Sequence, residues 1–275
     1  MAEGLTIGGV DVSTLAVRVI DLSGLLRVPE RRGENLPMPG RHGDLRVARK
    51  RYAGRETALE FWIRGAQADG TVPANPRAQF YENLRTLGQL IGQQVVTLEH
   101  TLPDGTTRRI DAEALTAVDA SRYKSGDLAR IGVAFTSASA FWEASTTTTI
   151  GPFSLTTGGT RQLTELADTD APIDDAVVTF GASSNPVLTD TRSGAFIAYD
   201  DVIASGRSVA LDTGAWTGVG AGGLTYDRTK VRTDPRDGGW FCLDPAPGGP
   251  TVRLDHTGGG SAPVTLTVRK KWLFG

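Results

Sequence analysis

The sequence predicts a mainly β protein of two domains, with one helix in the first. Three observations predict it. The 275 residues are more than one hydrophobic core usually serves. The 34 glycines and 14 prolines fall mostly between short β-branched runs, as turns do between strands. Only residues 76–91 repeat their apolar side chains with a clear helical period.

The elements of the first domain follow from periodicity. Leu15, Val17 and Val19 alternate with Ala16 and Arg18, and Leu59, Phe61 and Ile63 alternate with Glu60 and Trp62, the period of a strand with one buried face. Asn75 is a helix cap, Pro76 suits the first helical position, and Phe80, Leu84, Leu87 and Ile91 make one apolar stripe that ends before Gly92. Val95–Glu99 and Thr106–Ile110 flank Leu102-Pro103-Asp104-Gly105, a hairpin turn in which proline presets one φ and glycine accepts a positive one. Ile131, Val133 and Phe135 form the closing strand. A lone amphipathic helix among strands covers one face of a sheet.

The Ser/Thr run Ser145–Thr149, after Phe141-Trp142, reads as a linker or a first edge strand, which gives domains 1–143 and 150–275. In the second domain, strands are expected at Val177–Phe180, Ala195–Tyr199, Ser208–Leu211, Thr251–Leu254 and Val264–Arg269. The turn clusters Ser183–Pro186, Arg192–Gly194, Ala221–Gly223 and Thr257–Gly260 separate them. That spacing predicts an antiparallel sandwich or jelly roll. The glycine-rich span Thr213–Gly223 is expected to be a surface loop.

Charge is unevenly placed. The net charge is −2, yet residues 27–55 carry nine basic side chains against the three acids Glu30, Glu34 and Asp44. A long basic loop running into strands suits a grip on another protein subunit better than a small-substrate site. Arg46, Arg49, Arg51 and Arg55 are the candidate subunit contacts. Arginine supplies 24 of the 29 basic residues, which a GC-rich genome explains as readily as an interface does. No nucleic-acid motif accompanies the window, so contact with DNA is at most that of a strand passing by.

No catalytic, cofactor-binding or metal-binding constellation is expected. His42, His100 and His256 are dispersed, without metal-site spacing. No serine lies in a G-x-S-x-G elbow. Gly218–Gly223 matches G-x-G-x-x-G, but Leu224-Thr225-Tyr226-Asp227 follows where a dinucleotide fingerprint needs a helix. The acid pairs Asp168/Asp170, Asp174/Asp175 and Asp200/Asp201 read as turn formers. Cys242, the lone cysteine, excludes an internal disulfide, and its neighbours Phe241 and Leu243 make it a buried thiol. Among the aromatics that could stack on a sugar ring, Trp240 reads as core, while Trp216, in the glycine-rich loop, is the exposed candidate. No leader peptide is expected, since Glu3 and Asp11 interrupt the start, and no apolar run nears the ~20 residues needed to cross a bilayer. The chain is therefore expected to be made in the cytoplasm, with no membrane insertion.

Several segments together resemble the distal tail proteins of long-tailed siphophages. Gly40-Arg41-His42-Gly43, followed by Arg51-Tyr52-Ala53-Gly54-Arg55 and an apolar strand, resembles that family's N-terminal signature. The helix 76–91 sits where the family has its single helix, and Ser139-Ala140-Phe141-Trp142 resembles the exit from its first domain. Asn185-Pro186, Thr191–Gly194, Ile203–Gly206, Leu211–Thr213, Trp240–Pro245, Thr251–Leu254 and Val268–Trp272 follow the order of its galectin-like sandwich. Pro245–Pro250 departs from it, being longer than the family's tighter turn. The resemblance implies a tail-tube-like β-sandwich or barrel in the first domain and a galectin-like jelly roll in the second. It implies a structural, non-enzymatic virion protein of the tail tip, a homohexameric ring joining tail tube subunits to the tip hub and baseplate, with the tape measure protein and DNA within its reach. Two alternatives stand beside it: a carbohydrate-binding module for host attachment, with Trp216 as glycan contact, and a tail-tube subunit.

Overall fold

The computed structural model describes residues 4–32, 36–37, 44–45, 51–115, 128–234 and 241–275. The described residues are mainly β, with one α-helix. Contacts divide the chain into two compact units, Met1–Ser145 with Leu273–Gly275, and Thr146–Trp272. No feature of the sequence signals that residues 273–275 return to the first unit. They are held there by main-chain bonds: Gly275 N–H donates to Leu25 O at 2.9 Å, and Arg108 donates to Phe274 O at 2.8 Å.

The first unit opens with β1 (Gly4–Ile7), β2 (Val10–Asp11) and β3 (Val17–Asp21). Four two-residue strands follow: β4 (Arg31–Arg32), β5 (Leu36–Pro37), β6 (Asp44–Leu45) and β7 (Arg51–Tyr52). Next come the ten-residue β8 (Arg55–Arg64) and the helix α1 (Pro76–Ile91). The unit closes with β9 (Val96–Thr101), β10 (Thr107–Ala114), β11 (Leu128–Ser137) and β12 (Trp142–Ala144). The main sheet runs β2-β1-β9-β10-β11-β8-β3, antiparallel throughout, with β12 against β10, while β4/β7 and β5/β6 are separate ribbons.

The expected helix is present with its expected cap: Asn75 Oδ1 accepts the Ala78 N–H at 3.1 Å, and Pro76 opens the first turn. Phe80, Leu87 and Ile91 are buried and Leu84 is half-buried, so the stripe faces inward. Asn83 ties the helix to the end of β8, donating to Arg64 O at 2.8 Å and Ala66 O at 2.9 Å. Gly92 closes the helix at φ −79°, not in the left-handed setting common for a C-terminal glycine. The β9–β10 hairpin forms as expected. Gly105 adopts φ 87° and donates to Leu102 O at 2.9 Å, while the Thr106 N–H bound to Asp104 holds that carboxyl below its usual range.

The second unit begins with β13 (Thr148–Thr156), β14 (Gly159–Gln162), β15 (Val177–Phe180), β16 (Ser183–Asp190) and β17 (Phe196–Tyr199). It continues with β18 (Val202–Ile203), β19 (Ser208–Asp212), β20 (Thr217–Ala221), β21 (Val231–Thr233), β22 (Thr251–Thr257) and β23 (Ser261–Val268). One sheet is β13-β23-β15-β19-β20; the other is β14-β22-β16-β17-β21, with β18 against β16. Val178, Phe180 and Leu266 of the first sheet share one buried cluster with Leu188, Val252 and Leu254 of the second. Two antiparallel sheets closed on a common apolar layer make a sandwich.

Two expectations here are corrected. Ser183–Pro186 is not a turn but the start of β16. Asn185 stands at φ 50°, and the β16–β22 register shifts between Ser184 and Val187, a bulge that absorbs Pro186, which has no N–H for the ladder. Thr213–Gly223 is not all loop either, because Thr217–Ala221 pairs with β19 as a strand. Its glycines are used for close approach: a Cβ on Gly218 would lie 2.2 Å from the Tyr226 ring, and one on Gly220 would lie 2.1 Å from Leu224 O.

Candidate assembly surface

The phase of β8 sorts the first unit's charges. Arg55, Thr57, Leu59, Phe61 and Ile63 alternate with Glu56, Ala58, Glu60, Trp62 and Arg64, and the first set is buried. Arg55, one of the candidate contacts, is therefore corrected: it is 1% exposed and lies inside the unit. Its guanidinium donates to Leu273 O at 2.6 Å and to Arg27 O, and stands 5.7 Å from the Trp142 ring centre. Both bonds leave from Nη2, and the planar guanidinium can at the same time lie near an aromatic ring. The signal for this was in the sequence, since Arg55 has the parity of Leu59, Phe61 and Ile63.

Arg51 is placed otherwise. It is exposed on β7, whose partner in register is β4: Arg32 faces Arg51 and Arg31 faces Tyr52. Arg31 and Arg32 are exposed as well. The ribbon is anchored through Tyr52, which meets Phe141 edge-on at 5.1 Å and accepts a hydrogen bond from Arg31 at 3.0 Å, with the Arg31 guanidinium 5.2 Å from its ring centre. Three arginines thus ride an exposed ribbon whose root is an aromatic contact. Arg46, Arg49 and His42 lie outside the described residues.

The outward face of β8 carries a second surface feature, one that basic-residue density does not signal. Trp62 is 48% exposed, and its cross-strand partners are Arg18 on β3 and Arg130 on β11. Arg130 also donates to Glu60 at 2.9 Å. Among the described strands β3 is the last of this sheet, so Trp62 lies one strand in from that end. An exposed tryptophan between cations has the composition of an interface centre.

The remaining candidates are held in local structure. Asp200 is clamped by Arg232, which donates to it at 2.8 Å, and this bond raises the guanidinium pKa. Lys270 meets Asp168 at 2.7 Å, and the buried Lys271 meets Asp174 at 2.7 Å and Asp175 at 3.1 Å. His100 and His256 are buried side chains. Burial pushes the Cys242 thiol well above its ordinary pKa, so it is a poor nucleophile at neutral pH. The G-x-G-x-x-G match falls on β20 and the turn after it, with no helix to receive a phosphate. Among the described residues no group of three or more His, Cys, Asp or Glu is placed to hold a metal. No helix among them is long and apolar enough to cross a membrane. Trp216 is half-buried, at the tip of the β19–β20 hairpin, and Trp240 lies outside the described residues.

No family model matches the chain, and no curated protein does. Among solved structures, two chains of the phage p2 baseplate in its activated conformation are similar to it over 100% of both chains. The one solved with strontium shares 10% identity at a TM-score of 0.43, and the one solved with calcium 11% at 0.40. So distant a likeness assigns neither family nor function.

Proposed function

We propose that this chain is a structural, non-enzymatic subunit of a long-tailed phage tail tip, and that copies of it close into a hexameric ring between the tail tube and the distal tip proteins. In this reading residues 1–143 are the ring-forming, tail-tube-like domain. Residues 150–275 are a galectin-like sandwich carried by the ring. The observation that carries the reading is the exposed arginine ribbon β4/β7. It lies in a window of nine basic and three acidic residues within a chain of net charge −2, so most of the acids that offset it lie elsewhere in the sequence. Identical copies arranged head to tail can bring the two together, and a ring is the closed form of such a contact. The resemblance of Gly40–Gly43 and Arg51–Arg55 to the distal tail protein signature gives the ring its setting in the virion.

Light scattering of the purified protein at several concentrations and salt levels tests the ring. A mass six times that of the 29.1 kDa chain, falling as salt rises, supports it, because exposed ion pairs are screened beyond about 10 Å at 0.1 M salt. A monomer at every concentration, together with isolated tails that contain no ring of this chain, would overturn it.

A further inference from the structure

We propose that the two ends of the first unit's outward sheet face fit each other across copies: the Trp62 end of one chain packs on the acidic β9–β10 end of the next. The contact rests on the ring reading above and supplies the two surfaces that meet in it. Cross-strand partners share a face of a sheet, so the registers trace this face from strand to strand. Glu99 pairs with Arg109 and Thr97 with Asp111; Glu113 pairs with Thr136, and Thr136 with Glu56; Trp62 pairs with Arg18 and Arg130.

The two ends of the face differ in charge. At one end Trp62 is 48% exposed. Arg18 opposite it and Arg64 two residues on are exposed and make no ion pair among the described residues, whereas Arg130 is held by Glu60, with the Asp21 carboxylate near enough to feel its charge. At the other end Glu56, Asp111 and Glu113 are exposed, and none of them makes an ion pair among the described residues. Asp111 accepts a hydrogen bond from the Thr97 hydroxyl at 2.6 Å, and the one cation among these acids, Arg109, stands across from Glu99. Trp62 follows Glu56 by six residues of one strand, about 20 Å at the rise of a strand. That is twice the ~10 Å over which 0.1 M salt screens exposed charges, so the ends do not neutralise each other within one chain.

Charge selects the occupant. Two Trp62 ends facing each other would oppose like charges, which disfavours a two-fold contact of this end with itself. A polyanion drawn by the arginines would meet the acids of the same face. The acidic end of a second copy gives Arg18 and Arg64 their partners and covers Trp62, and tryptophan and arginine are the side chains in which interface energy concentrates. Because the ends are different surfaces, each copy uses one and leaves the other for the next. Such a head-to-tail contact closes into a ring or runs on as a filament.

Sedimentation velocity of the intact protein at low salt, over about 1–100 μM, tests this with two double variants at exposed positions. Trp62→Ala with Arg18→Ala disables one end, and Asp111→Lys with Glu113→Lys disables the other. Each alone should weaken self-association at least about tenfold, with thermal unfolding close to that of wild type. Mixed in equal amounts, the two should form pairs and nothing larger, since one intact end of each remains. Association unchanged in both variants, with Arg31→Glu/Arg51→Glu still reducing it, would overturn this contact and leave the ring reading standing. A mixture that pairs no better than either variant alone, or a wild type that stays monomeric throughout, would overturn it as well. Pairing in the mixture, beside wild-type assemblies that grow without closing, would keep the contact and overturn the ring.

Discussion

Arg51 and Arg55 are four residues apart, in one basic window, and opposite in placement. Arg51 sits on a two-strand ribbon with its side chain in solvent. Arg55 begins a ten-strand-residue run in the phase of Leu59 and Phe61, and is 1% exposed. The difference teaches that charge density identifies a region and strand parity decides which of its members can meet a partner. An arginine in the buried phase is retained because backbone carbonyls and an aromatic face receive it. An arginine in the exposed phase keeps its side chain at the surface of its unit.

That comparison can be broken or sharpened by substitution. The largest effect is expected at Arg55→Ala, which leaves the carbonyls of Arg27 and Leu273 without this donor and empties the space beside Trp142. A loss of about 3 kcal/mol is expected in urea or thermal unfolding, and a change within about 0.5 kcal/mol would mean that Arg55 behaves as a surface residue. Next is Lys271→Met, in the second unit. It keeps the apolar stem but takes the ammonium from Asp174 and Asp175, whose carboxylates are partly open to water. The expected cost is about 1–2 kcal/mol, smaller than for a fully buried pair.

A buried acid gives the opposite sign with pH. Asp190 is fully buried, and its pKa is raised first by that burial and then by the nearby Asp244 charge, against the Ser193 N–H bound at 2.8 Å. A raised folded-state pKa means the folded form holds its proton more tightly. Its contribution is complete below the unfolded value of about 3.9 and is lost as pH rises through the raised value. In urea titrations over that range, wild type should therefore lose stability relative to Asp190→Asn as pH increases. Parallel curves would mean that Asp190 ionises as freely folded as unfolded.

The smallest stability change is expected on the ribbon. Arg51→Glu combined with Arg31→Glu should shift unfolding by about 0.5 kcal/mol or less per site. The same pair should reduce self-association at low salt by tenfold or more, with the gap closing at high salt. Unfolding that changes as much as for Arg55→Ala, with association untouched, would reverse the assignment of the two arginines.

Much of the architecture was legible because it rests on local periods. Period two in Leu59–Ile63 and Ile131–Phe135, the Asn75-Pro76 start of α1 and the Pro103-Asp104-Gly105 turn are each specified by neighbours within a few residues, and the structure carries all of them. The first four residues of β16 and the whole of β20 have the composition of turn or loop. Their glycines, serines and proline are turn residues by composition, and only a bulge opposite β22 and the rings and carbonyls pressed onto β20 make them strands. For the candidate surface, the sequence located the basic window but not its members: Arg51 and Arg55 differ by pleat phase, and Trp62 becomes a surface feature only once β3 and β11 set arginines beside it.

The sequence by itself determined the mainly β class, the one capped helix, the change of texture near residue 145 and the place of the excess positive charge, because each is written in short-range spacing and composition. Tertiary structure alone decided that residues 273–275 rejoin the first unit and that Arg55 is enclosed by carbonyls and Trp142. The physical reason is that hydrogen bonds and burial connect residues up to 250 positions apart, as Gly275 and Leu25 are, and no local period encodes which distant partner a residue will meet.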